Sequence, residues 1–134
     1  DTYGHLVGSR LLAEAGSLIK RTLGPQHAAF RYGGDEFVAL LRGQDKIEAS
    51  NTAARLREVL RSTSLLTAEQ LDLRITASFG LATFPQDGGD LHSIIRAADT
   101  MMYIAKAEGR DCLMVASDDH PLTMPPPRQS RHAS

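Results

Sequence analysis

The feature that most limits the fold is the run Gly33-Gly34-Asp35-Glu36, set between two short β-prone stretches, residues 28–32 (AAFRY) and 37–41 (FVALL). Adjacent glycines let the backbone reverse sharply and let another group approach without meeting a Cβ. Two short apolar runs separated by Gly and Asp residues pair as an antiparallel hairpin with a tight turn.

The remaining pattern supplies the partners. Leu11, Ala15, Leu18 and Ile19 recur at helical spacing until Gly24-Pro25 breaks the run. After Gly43-Gln44-Asp45, the positions Ala49, Ala53, Leu56 and Leu60 mark a second amphipathic helix that ends near Ser62. Residues 74–82 alternate, with Ile75, Ala77, Phe79 and Leu81 against Arg74, Thr76, Ser78 and Gly80, as in a half-buried strand. A loop follows at residues 85–90. Ile94, Ala98, Met101 and Ala105 then give a third helix that closes at Gly109, and residues 112–116 read as a last short strand. Beyond Ser117 the composition turns to Pro, Ser, Arg and His, so residues 118–134 are expected to be a disordered tail and residues 1–117 the folded domain. The order helix, hairpin, helix, strand, helix, strand predicts an α+β fold with helices on a largely antiparallel central sheet.

Composition narrows the function. With 134 residues the chain fits one domain, and 42% hydrophobic and 23% charged residues are ordinary for a soluble protein. No apolar run approaches the roughly 20 residues that span a bilayer, so no membrane contact is expected. A net charge of -1 argues against a surface that grips nucleic acid through its phosphates, leaving small molecules or proteins as partners. The single Cys112 excludes an internal disulfide and a multi-cysteine zinc site, in keeping with a cytoplasmic location and a buried, inert thiol. The opening Asp1-Thr2-Tyr3-Gly4 has neither a basic nor an apolar stretch, and no signal peptide is read there; a start without Met is read as a piece of something longer.

The chemistry points back to the hairpin. Asp35 and Glu36 put two carboxylates beside a phosphate-sized gap, an arrangement that suits Mg²⁺, which binds one or two carboxylates plus substrate phosphates. From spacing alone the alternative stays open that this is ordinary Gly-Gly-Asp turn chemistry with solvated acids. Lys106 and Arg110, four apart at the end of the third helix, are expected to share a face. Their simplest role is to complement the negative helix end, at about 0.3–1 kcal/mol each. Asp99 reads as a structural hydrogen-bonder and His5 as architectural.

Four separated segments together resemble the GGDEF family of cyclic dinucleotide synthases. Residues 1–8 (DTYGHLVG) resemble its D-x-x-G-H-x-x-G segment, and residues 31–37 (RYGGDEF) its signature. Residues 77–80 (ASFG) resemble its S-x-G strand, while Ala98-Asp99 and residues 103–110 follow A-D-x-x-x-Y-x-A-K-x-x-G-R. The resemblance covers residues 1 to about 116, in order. It implies a palm-like nucleotidyl cyclase fold with a ferredoxin-like core. In that family two facing domains each hold a nucleoside triphosphate, and each 3′-hydroxyl attacks the other's α-phosphate with loss of pyrophosphate. Carried over, Glu36 is a metal ligand, Asp35 assists deprotonation of the hydroxyl, Gly33 and Gly34 line the phosphates, and Lys106 and Arg110 bind the triphosphate. The implied cofactor is Mg²⁺ or Mn²⁺, two ions per site, and the implied assembly is a homodimer joined through a regulatory domain outside this chain.

Three departures from the family pattern matter. The pattern begins with a strand whose aspartate binds metal and with an F-K-x-x-N-D segment whose Asn contacts the base; the chain starts at the last Asp of that segment, so the first strand is expected to be missing and the fragment alone inactive. The family's G-H-x-x-G-D reads here as Gly4-His5-Leu6-Val7-Gly8-Ser9. Asp offers only acceptors and so suits the guanine edge, whereas Ser both donates and accepts and does not penalise adenine. The local string resembles the hybrid promiscuous (Hypr) subgroup, which makes cyclic AMP-GMP from ATP and GTP. An ordinary cyclic di-GMP product and a non-catalytic relay or binding module are the alternatives, Ser9 then reflecting drift or loss of function. Finally, the R-x-x-D product-binding motif is replaced by Gly24-Pro25-Gln26-His27, so no inhibitory product site is expected.

Overall fold

The computed structural model describes residues 4–117; the expected tail at residues 118–134 and the first three positions of the DTYGHLVG segment lie outside the described residues. Among these are three long helices and four strands in the order α1 (His5–Leu23), β1 (Ala28–Gly33), β2 (Glu36–Leu40), α2 (Lys46–Ser62), β3 (Phe79–Leu81), α3 (Leu91–Ala107) and β4 (Leu113–Val115), with one 3-10 turn at Thr67–Glu69. The α+β expectation holds. By their contacts they divide into two units, residues 4–42 with 58–75 and residues 43–57 with 76–117.

The first unit is built on the hairpin. β1 and β2 run antiparallel, with Ala28 opposite Leu40, Phe30 opposite Val38 and Arg31 opposite Phe37, before the register slips and Gly33 faces Glu36. The turn is therefore only Gly34-Asp35, narrower than the four residues that the sequence marks. Helix α1 packs on this hairpin, and at Gly16 the approach is close enough that a Cβ would stand 3.1 Å from the Phe37 ring. Ala15, Leu18, Ile19 and Leu23 form its buried stripe. α1 starts at His5, well before the apolar periodicity at Leu11, because its opening turns bury nothing: Leu6 is exposed and Ala15 is the first buried residue. It ends at Gly24, whose φ of 87° turns the chain towards β1 at no Cβ cost. Two side chains tie α1 to the segment after α2: Glu14 Oε1 accepts from the Leu66 backbone nitrogen at 2.8 Å, and Arg10 pairs with Glu69 at 3.1 Å. The 3-10 turn between these ties has no hydrophobic period and so left no trace in the sequence pattern.

Helix α2 runs from the second unit into the first. Its predicted stripe of Ala49, Ala53, Leu56 and Leu60 is buried throughout. The helix opens with a reciprocal cap, Glu48 N–H donating to Asp45 Oδ1 at 2.8 Å and Asp45 N–H to Glu48 Oε1 at 2.9 Å.

In the second unit β3 and β4 pair in parallel, with Phe79, Gly80 and Leu81 opposite Leu113, Met114 and Val115. Among the described residues the strands form two separate two-stranded sheets, and this one corrects the antiparallel expectation: α3 carries the chain from the end of β3 back to the start of β4, which is a parallel crossover. The alternation expected over residues 74–82 shows in burial only as far as Ala77, with residues 77–80 all half-buried, and strand pairing is confined to Phe79–Leu81, apart from an isolated bridge from Leu73 to Leu65 just before this stretch. Met101, Ala105, Ala97 and Ala116 are the most buried residues here. Asp90 caps α3, accepting from Ser93 Oγ at 2.6 Å and Ser93 N–H at 2.8 Å. These two hydrogen bonds, the side-chain one foremost, hold its carboxyl below the ordinary carboxylate range. A polar cluster completes the unit: Lys46 Nζ lies 2.9 Å from Asp87 and donates to the Ala116 carbonyl, while Asp87 Oδ2 accepts from Thr83 N–H at 2.7 Å.

Candidate active site

The hairpin gathers Gly33, Gly34, Asp35 and Glu36 at one turn. Asp35 is exposed at its tip, whereas Glu36, the first residue of β2, is 9% exposed and makes an interaction within the protein. The acids are thus unequal: one faces solvent, the other is held in the protein. Glu36 already belongs to β2, whereas Asp35 is still in the turn.

Arg31 acts on the same turn. Its Nε donates to the Gly34 carbonyl oxygen at 2.9 Å, and its Nη2 donates to the same atom. Sequence reading gives Arg31 no role beyond its place in the RYGGDEF string, because the contact depends on how the turn closes and leaves no signal in the spacing. Ser9 lies in the second turn of α1 and is exposed.

Lys106 and Arg110 belong to the second unit. Lys106 sits half-buried in the last turn of α3. The helix ends at Ala107, and Arg110 lies beyond it with φ of 66°, its N–H donating to the Ala105 carbonyl at 3.0 Å. The expected shared helical face is therefore not formed, because the spacing rule stops where the helix stops. Arg57 supports this exit, its Nη2 donating to the Asp111 carbonyl at 2.7 Å and its Nε lying 3.1 Å from the Asp111 carboxylate. Asp99 on α3 and His5 at the start of α1 sit on helices, and Asp99 makes an interaction within the protein.

Among the described residues no group of three or more His, Cys, Asp or Glu side chains converges on a metal position. The adjacent carboxylates of Asp35 and Glu36 still fit Mg²⁺, which needs only one or two protein carboxylates when phosphates and water complete its shell. Two recesses flank this unit. One of about 200 Å³ between α1 and the hairpin is lined by Leu12, Gly16, Lys20, Phe30, Arg31 and Phe37 among others. The other, about 560 Å³ and open, borders Gly24, Pro25 and His27, where the R-x-x-D motif is replaced. No predicted site residue lines either one.

The family model for "Diguanylate cyclase, GGDEF domain" matches residues 1–112. The chain belongs to the GGDEF diguanylate cyclase family. Over 111 residues, 83% of the chain, it is 37% identical to the bifunctional diguanylate cyclase/cyclic di-GMP phosphodiesterase MucR of Pseudomonas aeruginosa and 34% identical to the diguanylate cyclase DosC of Escherichia coli. It spans 16% and 24% of the length of those two relatives. Its fold superposes on the crystal structure of an EAL/GGDEF domain protein from M. capsulatus with a TM-score of 0.77 at 33% identity, covering 87% of this chain and 75% of that one. Among the described residues no helix is long and apolar enough to cross a membrane.

Proposed function

We propose that this GGDEF domain makes a cyclic dinucleotide from two nucleoside triphosphates, with GTP as one substrate and ATP admitted as the other through Ser9. The observation that carries the reading is the acidic turn, in which exposed Asp35 and buried Glu36 stand directly beside two glycines.

In the proposed reaction a 3′-hydroxyl oxygen attacks an α-phosphorus. A new P–O bond forms, the bond from that phosphorus to the bridging oxygen breaks, and pyrophosphate leaves with the electron pair. Asp35, open to solvent, accepts the hydroxyl proton. Glu36 provides a carboxylate fixed by its surroundings, on the metal side of the site. A bound divalent cation, Mg²⁺ or Mn²⁺, supplies charge neutralisation for the triphosphate. Gly33 and Gly34 leave space for phosphate oxygens, and Lys106 and Arg110 are assigned to the triphosphate by family pattern. Repeating the step across two facing domains closes the ring, which makes a dimer the working form.

Ser9 decides the base. An exposed serine hydroxyl on α1 can accept from guanine or donate to adenine, where an aspartate would accept only. Loss of a bidentate contact removes about 1–3 kcal/mol of discrimination against the other base. The test is to incubate the complete gene product with Mg²⁺ and GTP and to identify products by mass. Cyclic dinucleotide and pyrophosphate are expected; nucleotide binding without turnover would instead favour a relay module.

A further inference from the structure

The geometry points to Arg31 as the positioning residue for Asp35, an inference that rests on the cyclase reading above. Both donors of one guanidinium edge, Nε and Nη2, meet the carbonyl oxygen of Gly34. That oxygen belongs to the peptide linking Gly34 to Asp35. Because the peptide is planar, holding its oxygen towards Arg31 fixes the whole plane, and with it the direction of the Asp35 N–H and the root of the Asp35 side chain.

The hairpin ladder does not provide this by itself. Its register slips between Arg31 and Gly33, leaving Tyr32 as the extra residue, and the two glycines that follow have the widest backbone freedom of any residue type. Arg31 spans that register slip from a firm base. It pairs across the ladder with Phe37, whose ring is pressed against Gly16 of α1. The guanidinium therefore carries order from the helix contact to the peptide that presents the acid. A cation on the carbonyl also polarises the peptide and strengthens the Asp35 N–H as a donor towards a phosphate oxygen. Lysine, a single point charge, cannot reproduce a fork on one acceptor.

The experiment compares wild type, R31A and R31K in the complete gene product, measuring kcat and KM for cyclic dinucleotide formation, thermal midpoint, and rescue of R31A by added methylguanidinium. A misplaced carboxylate predicts a kcat loss of about 10²-fold in R31A with an unchanged thermal midpoint. KM for GTP should stay within about threefold, because a positioning residue does not hold the substrate. R31K should recover only part of the rate, and methylguanidinium should raise kcat of R31A and leave wild type unchanged. An R31A enzyme with full kcat, a loss confined to KM, or an R31K enzyme equal to wild type would overturn the inference. A wild-type protein that forms no cyclic dinucleotide would overturn the cyclase reading itself, and the wild-type reaction decides that separately.

Discussion

Gly80 of β3 lies against Ala98 of α3 so closely that a Cβ on the glycine would stand 2.0 Å from the Ala98 carbonyl oxygen and 2.3 Å from the Met102 backbone nitrogen. Strand and helix meet here backbone to backbone, and neither neighbour is a flexible side chain that could yield. G80A is expected to destabilise the protein by more than about 2 kcal/mol, read as a fall in the thermal or denaturant midpoint. G89A is the control, since a Cβ there meets nothing within 4 Å; its effect should stay within about 0.5 kcal/mol.

Asp87 is the acceptor on which Lys46 and the Thr83 amide converge, and its side chain is 8% exposed. Removing the carboxylate leaves the Thr83 amide without its acceptor and the Lys46 ammonium with only the Ala116 carbonyl in place of an opposite charge. D87A should therefore cost about 3 kcal/mol in denaturant unfolding, and K46M D87L, which removes both charges, should cost less than D87A alone. Equal losses in both variants would remove the pair from the account.

The Asp90 cap predicts a pH dependence of known sign. Hydrogen bonds from Ser93 lower its folded-state carboxyl pKa, so the stabilisation is fully present above the ordinary carboxylate range and is lost as pH falls through the lowered value. D90N keeps a capping oxygen but does not titrate. Across acid titration the stability difference between wild type and D90N should shrink in that window and stay constant above it; a difference that grows with falling pH would contradict the assignment.

If the acidic turn is the reacting centre, D35N and E36Q should each lower the rate of cyclic dinucleotide formation by at least about 10²-fold, and the double variant should be little worse than either single one, because groups acting as a unit are not additive. Circular dichroism should remain that of wild type for D35N, whose side chain is exposed. Full activity in both single variants would remove the turn from the chemistry.

What the sequence made legible, and what it did not, follows from the range of the forces involved. Ala49, Ala53, Leu56 and Leu60 could be read as a buried stripe because helical burial repeats every 3.6 residues, and all four are buried. The hairpin could be read because two glycines and an aspartate between β-prone runs leave few other conformations. The parallel pairing of Phe79–Leu81 with Leu113–Val115 could not, since a three-residue strand carries no mark of its partner's direction. Lys106 and Arg110 looked like helical neighbours until the chain left the helix at Ala107, and Arg110 adopted a left-handed backbone. The hold of Arg31 on Gly34 depends on how the turn closes, which no spacing rule encodes.

The most direct test of the account is the product mixture formed by the complete gene product with Mg²⁺ and equal ATP and GTP, separated and identified by mass, for wild type and S9D. Cyclic AMP-GMP should appear alongside cyclic di-GMP in wild type, and S9D should shift the mixture towards cyclic di-GMP by about tenfold. Cyclic di-GMP alone in wild type, or a ratio unchanged by S9D, would contradict the role given to Ser9, and the absence of any cyclic dinucleotide would contradict the account as a whole.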